Sequence, residues 1–246
     1  MEMLPHRRII LPLDVSTPVE AIDLASDLHE HVGMVKVGLQ LFTTAGPSLL
    51  ELRDELGLKM FLDLKLHDIP NTVAGAVKAA VRHNVDYLTV HASGGANMLK
   101  AAVDAASSDV VLLAVTLLTS IDGLALRNEL RVRGPNPTDP KSYDGDEVRY
   151  HVLHMARMAW ECGVRGFVCS PLEVKALRDE FGPDAVLVVP GIRPEGSDAG
   201  DQARVATPAA AMKDGASYLV IGRPITQAED RVKAARTIAE EIRPYT

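Results

Sequence analysis

The sequence predicts an α/β protein folded as one (β/α)8 TIM barrel, and three observations carry that reading. Short apolar runs rich in Val, Ile and Leu alternate with helix-like segments from one end of the chain to the other. Most of these runs are near-continuously apolar rather than alternating, as parallel strands covered on both sides should be. The chain is 246 residues long and shows no linker or compositional break, and barrels of about 200–250 residues form one domain. Residues 1–246 are therefore read as a single domain, with an open doubly wound sheet as the alternative architecture.

In chain order the strand candidates are "RIILPLD", "GMVKVG", "KMFLDLK", "VDYLTVH", "VVLLAVT", "GFVCS", "AVLVVPG" and "ASYLVIG". Helix starts are marked between them. Thr17-Pro18-Val19-Glu20 offers an N-cap, a proline at the first helical position and a glutamate three residues after the cap. Ser170-Pro171-Leu172-Glu173 repeats that design, and Thr226 with Glu229 gives a further capping-box match. Residues 131–147, "RVRGPNPTDPKSYDGDE", are rich in Pro, Gly and Asp and read as an irregular loop, a tolerated surface insertion.

Composition narrows the function classes. Hydrophobic residues make up 47% and charged residues 24% of the chain, ordinary values for a globular protein. A net charge of -7 argues against a nucleic-acid or anionic-membrane partner. Any anion the protein handles must then meet a local concentration of positive charge. Cys162 and Cys169 could pair in principle, but two cysteines in a chain of this size fit a reducing cytosol. No apolar run approaches the roughly 18 residues of a membrane span, and the start "MEMLPHRRII" lacks the apolar core of a signal peptide. A cytoplasmic location is expected.

Barrel enzymes place their chemistry at the C-terminal strand ends, and those ends carry an ordered polar set here. Strand one ends in Asp14, strand two carries Lys36, strand three ends in Asp63 and Lys65, and strand four ends in His91. Strand five ends in Thr116 and then Thr119-Ser120, and strands seven and eight lead to Arg193 and Arg223. Nothing comparable is evident at the N-terminal ends. Asp63 and Lys65 lie two apart, so both face the lumen while Leu62, Leu64 and Leu66 face the helices. Alternating Lys and Asp lets each buried charge meet an opposite one. A lysine among carboxylates is favoured as a cation, suited to stabilising and protonating a carbanion rather than to Schiff-base work.

The other side of the mouth reads as a phosphate site. Loops after strands seven and eight often hold one in this fold, and here they are "VPGIRPEGSDAGDQ" and "VIGRPITQAE". Gly191 and Gly222 allow close backbone approach, and Arg193 and Arg223 can fork onto phosphate oxygens. The segment 191–202 is long enough to fold over a ligand as a lid.

These residues resemble a known family. "DLKLHDIPNTV" resembles the Asp-x-Lys-x-x-Asp-Ile-Pro-x-Thr signature of the orotidine 5'-monophosphate decarboxylase family. "VPGIRPEGSDAGDQARVATP" is similar to that family's phosphate-gripping loop, and "VIGRPIT" to its strand-eight motif. The similarity runs from "LPLDV" to "ITQAED" and lapses at residues 131–147. The resemblance implies a cofactor-free homodimeric barrel, with no metal, that converts orotidine 5'-monophosphate to UMP in pyrimidine biosynthesis. It further implies that Asp14 holds the ribose hydroxyls, Lys36 belongs to the charged array and Asp63 sits against the substrate carboxylate. Lys65 would protonate C6, and Asp68 and Thr72 would reach the partner subunit's site. Thr119 would contact the pyrimidine, Pro190 would line its pocket, and Arg193, Gln202 and Arg223 would hold the phosphate. His91, in "HASGG", is given a structural or interface role.

Three other readings compete with this one. A Mg²⁺-dependent sugar-phosphate decarboxylase or synthase of the same superfamily carries a metal-binding glutamate where this chain has Lys36, and a lysine removes that ligand. A non-catalytic barrel that binds a phosphometabolite would lose part of the Asp/Lys array. A metal hydrolase built on His151 and His154 would place its ligands on a helix outside the barrel.

Overall fold

The computed structural model describes residues 3–106, 108, 110–132, 146–195 and 205–246. Eight strands form a closed parallel barrel in sequence order. They are β1 (Ile9–Pro12), β2 (Met34–Gly38), β3 (Lys59–Leu66), β4 (Tyr87–His91), β5 (Val111–Val115), β6 (Gly166–Val168), β7 (Val186–Val189) and β8 (Tyr218–Val220). The ring closes where Ile9 pairs with Leu219 and Ile10 with Val220. The helices are α1 (Pro18–Leu28), α2 (Leu39–Ala45), α3 (Leu52–Leu56), α4 (Pro70–Arg82), α5 (Gly95–Ala105) and α6 (Gly123–Asn128). They continue with α7 (Asp146–Glu161), α8 (Val174–Phe181), α9 (Pro208–Lys213), α10 (Arg223–Thr226) and α11 (Arg231–Ile242).

The period-two alternation of the strands separates two cores. Leu11, Val35, Leu62, Leu88 and Leu219 point outward into the layer shared with the helices. Ile10, Met34, Phe61, Tyr87, Leu113, Val188 and Tyr218 point inward and fill the lower lumen. That parity fixes the site in advance, because the next inward positions above Met34, Phe61 and Tyr87 are Lys36, Asp63 and Thr89.

The helix starts follow the sequence in two of three cases. Thr17 Oγ1 accepts the Glu20 N–H at 3.2 Å, and Glu20 reaches back to the Ser16 N–H at 3.2 Å. Glu173 accepts the Ser170 N–H at 2.8 Å. The Thr226–Glu229 expectation is corrected. Helix α10 begins at Arg223 directly after its N-cap Gly222, with Pro224 in its first turn, so Thr226 ends that short helix. The cap of α11 is Asp230, which accepts the Lys233 N–H at 2.8 Å.

The N-terminal ends of the strands also need correction, for they carry a dense polar arrangement. Arg178, on α8, donates to the carbonyls of Gly182, Ala185 and Gly215 and to Ser217 Oγ, tying together the entries to β7 and β8. Asp86 accepts the Met60 N–H at 2.8 Å and Arg53 Nε at 3.1 Å. Within the lumen the Tyr87 and Tyr218 hydroxyls meet at 3.1 Å. Burial and the Tyr218 hydroxyl push the Tyr87 phenol up.

Candidate active site

At the C-terminal mouth, four charged side chains alternate in sign. Lys36, nearly buried on β2, donates to Asp14 Oδ1 at 3.0 Å and lies 3.6 Å from Asp63 Oδ2. Lys65 Nζ donates to both Asp63 oxygens, at 2.8 and 2.9 Å. Burial alone raises the Asp63 carboxyl, but the Lys36 and Lys65 charges and the hydrogen bonds from Lys65 and Thr89 outweigh it and hold Asp63 below its ordinary value. The approach is close enough that a Cβ on Gly38 would lie 3.1 Å from Lys36 Nζ and 3.3 Å from Asp14 Oδ1, so glycine keeps the corner open.

The strand that supplies Asp63 and Lys65 is not regular. Its pairing with β4 runs Leu62 to Leu88 and then Leu66 to Val90. Asp63, Leu64 and Lys65 thus stand against Thr89 alone, a bulge with two extra residues. Two extra residues preserve the parity of the strand, so Leu62 and Leu66 both keep to the helix side. The bulge places two ionisable side chains in the lumen at a level where a regular strand would place one. Lys65 adopts φ 50° to do so, a left-handed conformation uncommon for a residue with a side chain.

A cavity of about 490 Å³ opens above this array. Asp14, Lys36, Asp63 and Lys65 line it together with Arg193, Gly222 and Arg223, and Thr119 and Pro190 are also on the lining. Apolar groups of Val115, Leu117, Val168 and Val220 complete the enclosure. Arg223 sits at the first position of α10, immediately after Gly222. A Cβ on Gly222 would meet Pro12 Cγ at 3.0 Å. Arg193 donates through Nη1 to the Ile192 carbonyl at 2.8 Å, which steadies its guanidinium beside the mouth. One cavity therefore offers both an Asp/Lys array and two arginines, with dimensions suited to a small anionic ligand.

A sequence model of the orotidine 5'-phosphate decarboxylase / HUMPS family matches residues 7–238. The chain belongs to this family. A curated relative, the orotidine 5'-phosphate decarboxylase of Moorella thermoacetica, is 49% identical over 243 residues, covering 96% of this chain and 92% of the relative. Its counterpart from Gloeothece citriformis is 48% identical over 238 residues, covering 96% and 97%. The crystal structure of orotidine 5'-phosphate decarboxylase from Lactobacillus acidophilus superposes with a TM-score of 0.80 at 39% identity, covering 96% of this chain and 99% of that one.

For this member of the orotidine 5'-phosphate decarboxylase / HUMPS family, most residues singled out in the sequence meet in one cavity. Asp14, Lys36, Asp63, Lys65, Thr119, Pro190, Arg193, Gly222 and Arg223 all line it. Asp68 and Thr72 do not. Asp68 is exposed and accepts the neighbouring Ile69 N–H at 2.6 Å, and Thr72 is exposed in the first turn of α4. Gln202, most of the segment 191–202 and residues 133–145 of the irregular loop lie outside the described residues. Thr116 is corrected: β5 ends at Val115, and Thr116 is buried away from the cavity. His91 does not line the cavity either; its ring lies 5.3 Å from that of His67. Burial, then His67 and Lys65, push His91 below the ordinary imidazole value against an opposing pull from Asp63. His151 and His154 lie on α7, outside the barrel, with Tyr150 stacked on His154. Thr89 and Gly38 were missed, since a threonine and a glycine in apolar strands carry no catalytic signal until the register is known.

Proposed function

We propose that this protein decarboxylates orotidine 5'-monophosphate to UMP in pyrimidine biosynthesis, without a cofactor. The observation that carries the reading is the Asp14–Lys36–Asp63–Lys65 chain, with Lys65 Nζ 2.8 Å from Asp63, lining one cavity with Arg193 and Arg223. Relatives that the chain matches nearly end to end bear the name of this activity.

The chemistry follows from where the charges lie. With the phosphate at Arg193 and Arg223, the pyrimidine reaches toward Asp63 and Lys65, against Thr119 and Pro190. The bond from C6 to the carboxylate breaks, carbon dioxide leaves, and the electron pair stays on C6. Lys65 Nζ–H gives its proton to that carbon, and the amine regains one from solvent. A fixed ammonium at the developing anion stabilises it without reorganisation. Phosphate contacts far from C6 supply binding energy that presses the carboxylate toward Asp63. Asp14 is set to receive the ribose hydroxyls, and Gln202 to join the phosphate grip.

The working unit in this reading is a homodimer with shared sites. Asp68 and Thr72 stand exposed beside the mouth, and Ile69 between them leaves 66% of its surface exposed. A neighbouring subunit docked there would receive both side chains in its own cavity. A cytoplasmic location accords with two buried cysteines that form no disulfide. Against a Mg²⁺-dependent sugar-phosphate reaction, the Lys36 ammonium stands between Asp14 and Asp63, where a cation would need their oxygens.

The test is spectroscopic. Purified protein treated with EDTA is expected to consume orotidine 5'-monophosphate absorbance at an undiminished rate. No loss of absorbance, or turnover only with added Mg²⁺, overturns the reading. For the shared site, mixing Lys65→Ala with Asp68→Ala subunits is expected to restore activity, and no recovery after subunit exchange excludes it.

A further inference from the structure

Thr89 is fully buried on β4 and does not line the cavity, yet it touches both ionisable residues of the β3 bulge. Its hydroxyl oxygen accepts the Lys65 main-chain N–H at 2.8 Å. The hydroxyl proton is then directed to Asp63 Oδ1 at 3.0 Å. From these two contacts we infer that Thr89 is a positioning residue for the decarboxylation, its hydroxyl clamping the bulge so that the Lys65 ammonium and the Asp63 carboxylate are held in one fixed arrangement. The inference rests on the decarboxylase reading and deepens it.

The physical case has three parts. The bulge removes Lys65 from the β3–β4 ladder, and a buried main-chain N–H without a partner is costly. Thr89 supplies that partner at the residue whose φ is 50°, so the clamp holds the conformation that aims the lysine into the lumen. The same hydroxyl occupies one lone pair of Asp63 Oδ1, leaving the carboxylate fewer orientations relative to Lys65 and favouring its ionised form. A side chain that never meets the substrate thereby sets the distance and angle from which the proton is delivered.

Thr89→Val keeps the shape and removes the hydroxyl, and Thr89→Ser keeps the hydroxyl. Thr89→Val is expected to lower kcat on the order of 10²-fold, the scale of a misplacement of about 1 Å at a reacting group. KM and UMP affinity, set largely by the phosphate grip, should stay within about threefold of wild type. The acidic limb of its kcat/KM profile should move to higher pH, because Asp63 has lost a donor. Thr89→Ser should return kcat to within about fivefold of wild type. If the valine variant does not fold, Thr89→Ala against Thr89→Ser isolates the hydroxyl, since both lack the methyl group. A valine variant with wild-type kcat, a serine variant as slow as the valine or alanine one, or a loss carried wholly by KM overturns the role. An inactive wild-type protein overturns the decarboxylase reading itself, and this role with it.

Discussion

The two ends of the barrel lumen are built from the same strands and treat charge in opposite ways. At the N-terminal end, Arg178 spends its donors on carbonyls of Gly182, Ala185 and Gly215, and Asp86 accepts a strand N–H and Arg53. Those charges are anchored to main-chain groups that cannot leave. The lumen above them is filled by Phe61, Tyr87 and Tyr218, with the two phenols bonded to one another. At the C-terminal end, Asp14, Lys36, Asp63 and Lys65 satisfy each other beside an open cavity. Side chains that pair chiefly with one another beside a cavity can exchange partners with a ligand, whereas side chains bonded to the backbone hold the fold. The difference lies in the partners that the charges are given.

Substitutions at the two ends should therefore fail in different ways. The largest effect is expected for Lys65→Ala, which should lower kcat by about 10³-fold or more while leaving thermal stability and UMP binding close to wild type; measurable turnover near the wild-type rate would break the assignment. Arg178→Ala should do the reverse. Loss of its hydrogen bonds to carbonyls should cost about 3 kcal/mol in urea unfolding, with kcat/KM unchanged below the unfolding transition. A catalytic defect in that variant would show that the two ends are not independent. Tyr87→Phe should cost about 1 kcal/mol, because the Tyr218 hydroxyl is left unpaired, and adding Tyr218→Phe should recover part of that loss. Calorimetry on the two single variants and the double variant decides it.

The smallest effect concerns pH. Asp63 titrates lower in the folded protein than in the unfolded chain, so the unfolded state binds more protons as the pH falls. Its contribution to stability is present above an unfolded carboxyl value of about 4 and is lost as pH drops through the lower folded value. Urea unfolding between about pH 5 and pH 3 should thus show a shallower pH slope in Asp63→Asn than in wild type. Equal slopes would mean that the mouth contributes nothing to acid sensitivity.

The barrel was legible because each strand is a short, nearly all-apolar run, a pattern that parallel strands between two packed layers require. The mouth was legible because charges stand out against such runs, as Lys36 does in "GMVKVG". The bulge was not, because it exists only as a register between β3 and β4; spacing within one strand gave Asp63 and Lys65 a common face but not Thr89 as their partner. The N-terminal network was hidden for a related reason. Arg178, Ser217 and Asp86 lie far apart in sequence, and much of their bonding is to main-chain groups, which leave no trace in residue type. Thr226 matched a capping pattern, but a cap works only where a helix begins, and α10 had already begun at Arg223.

The β3 bulge also bears on how insertions and deletions can act here. Removing one residue between Leu62 and Leu66 would reverse the phase of the strand end and turn Leu66 toward the lumen. Removing two would restore an ordinary ladder with the outward leucines in place, leaving a sound barrel with one fewer inward side chain. Catalytic capacity at this position thus differs from plain scaffold by an even change in chain length, which a (β/α)8 barrel can gain or shed without reopening its ring.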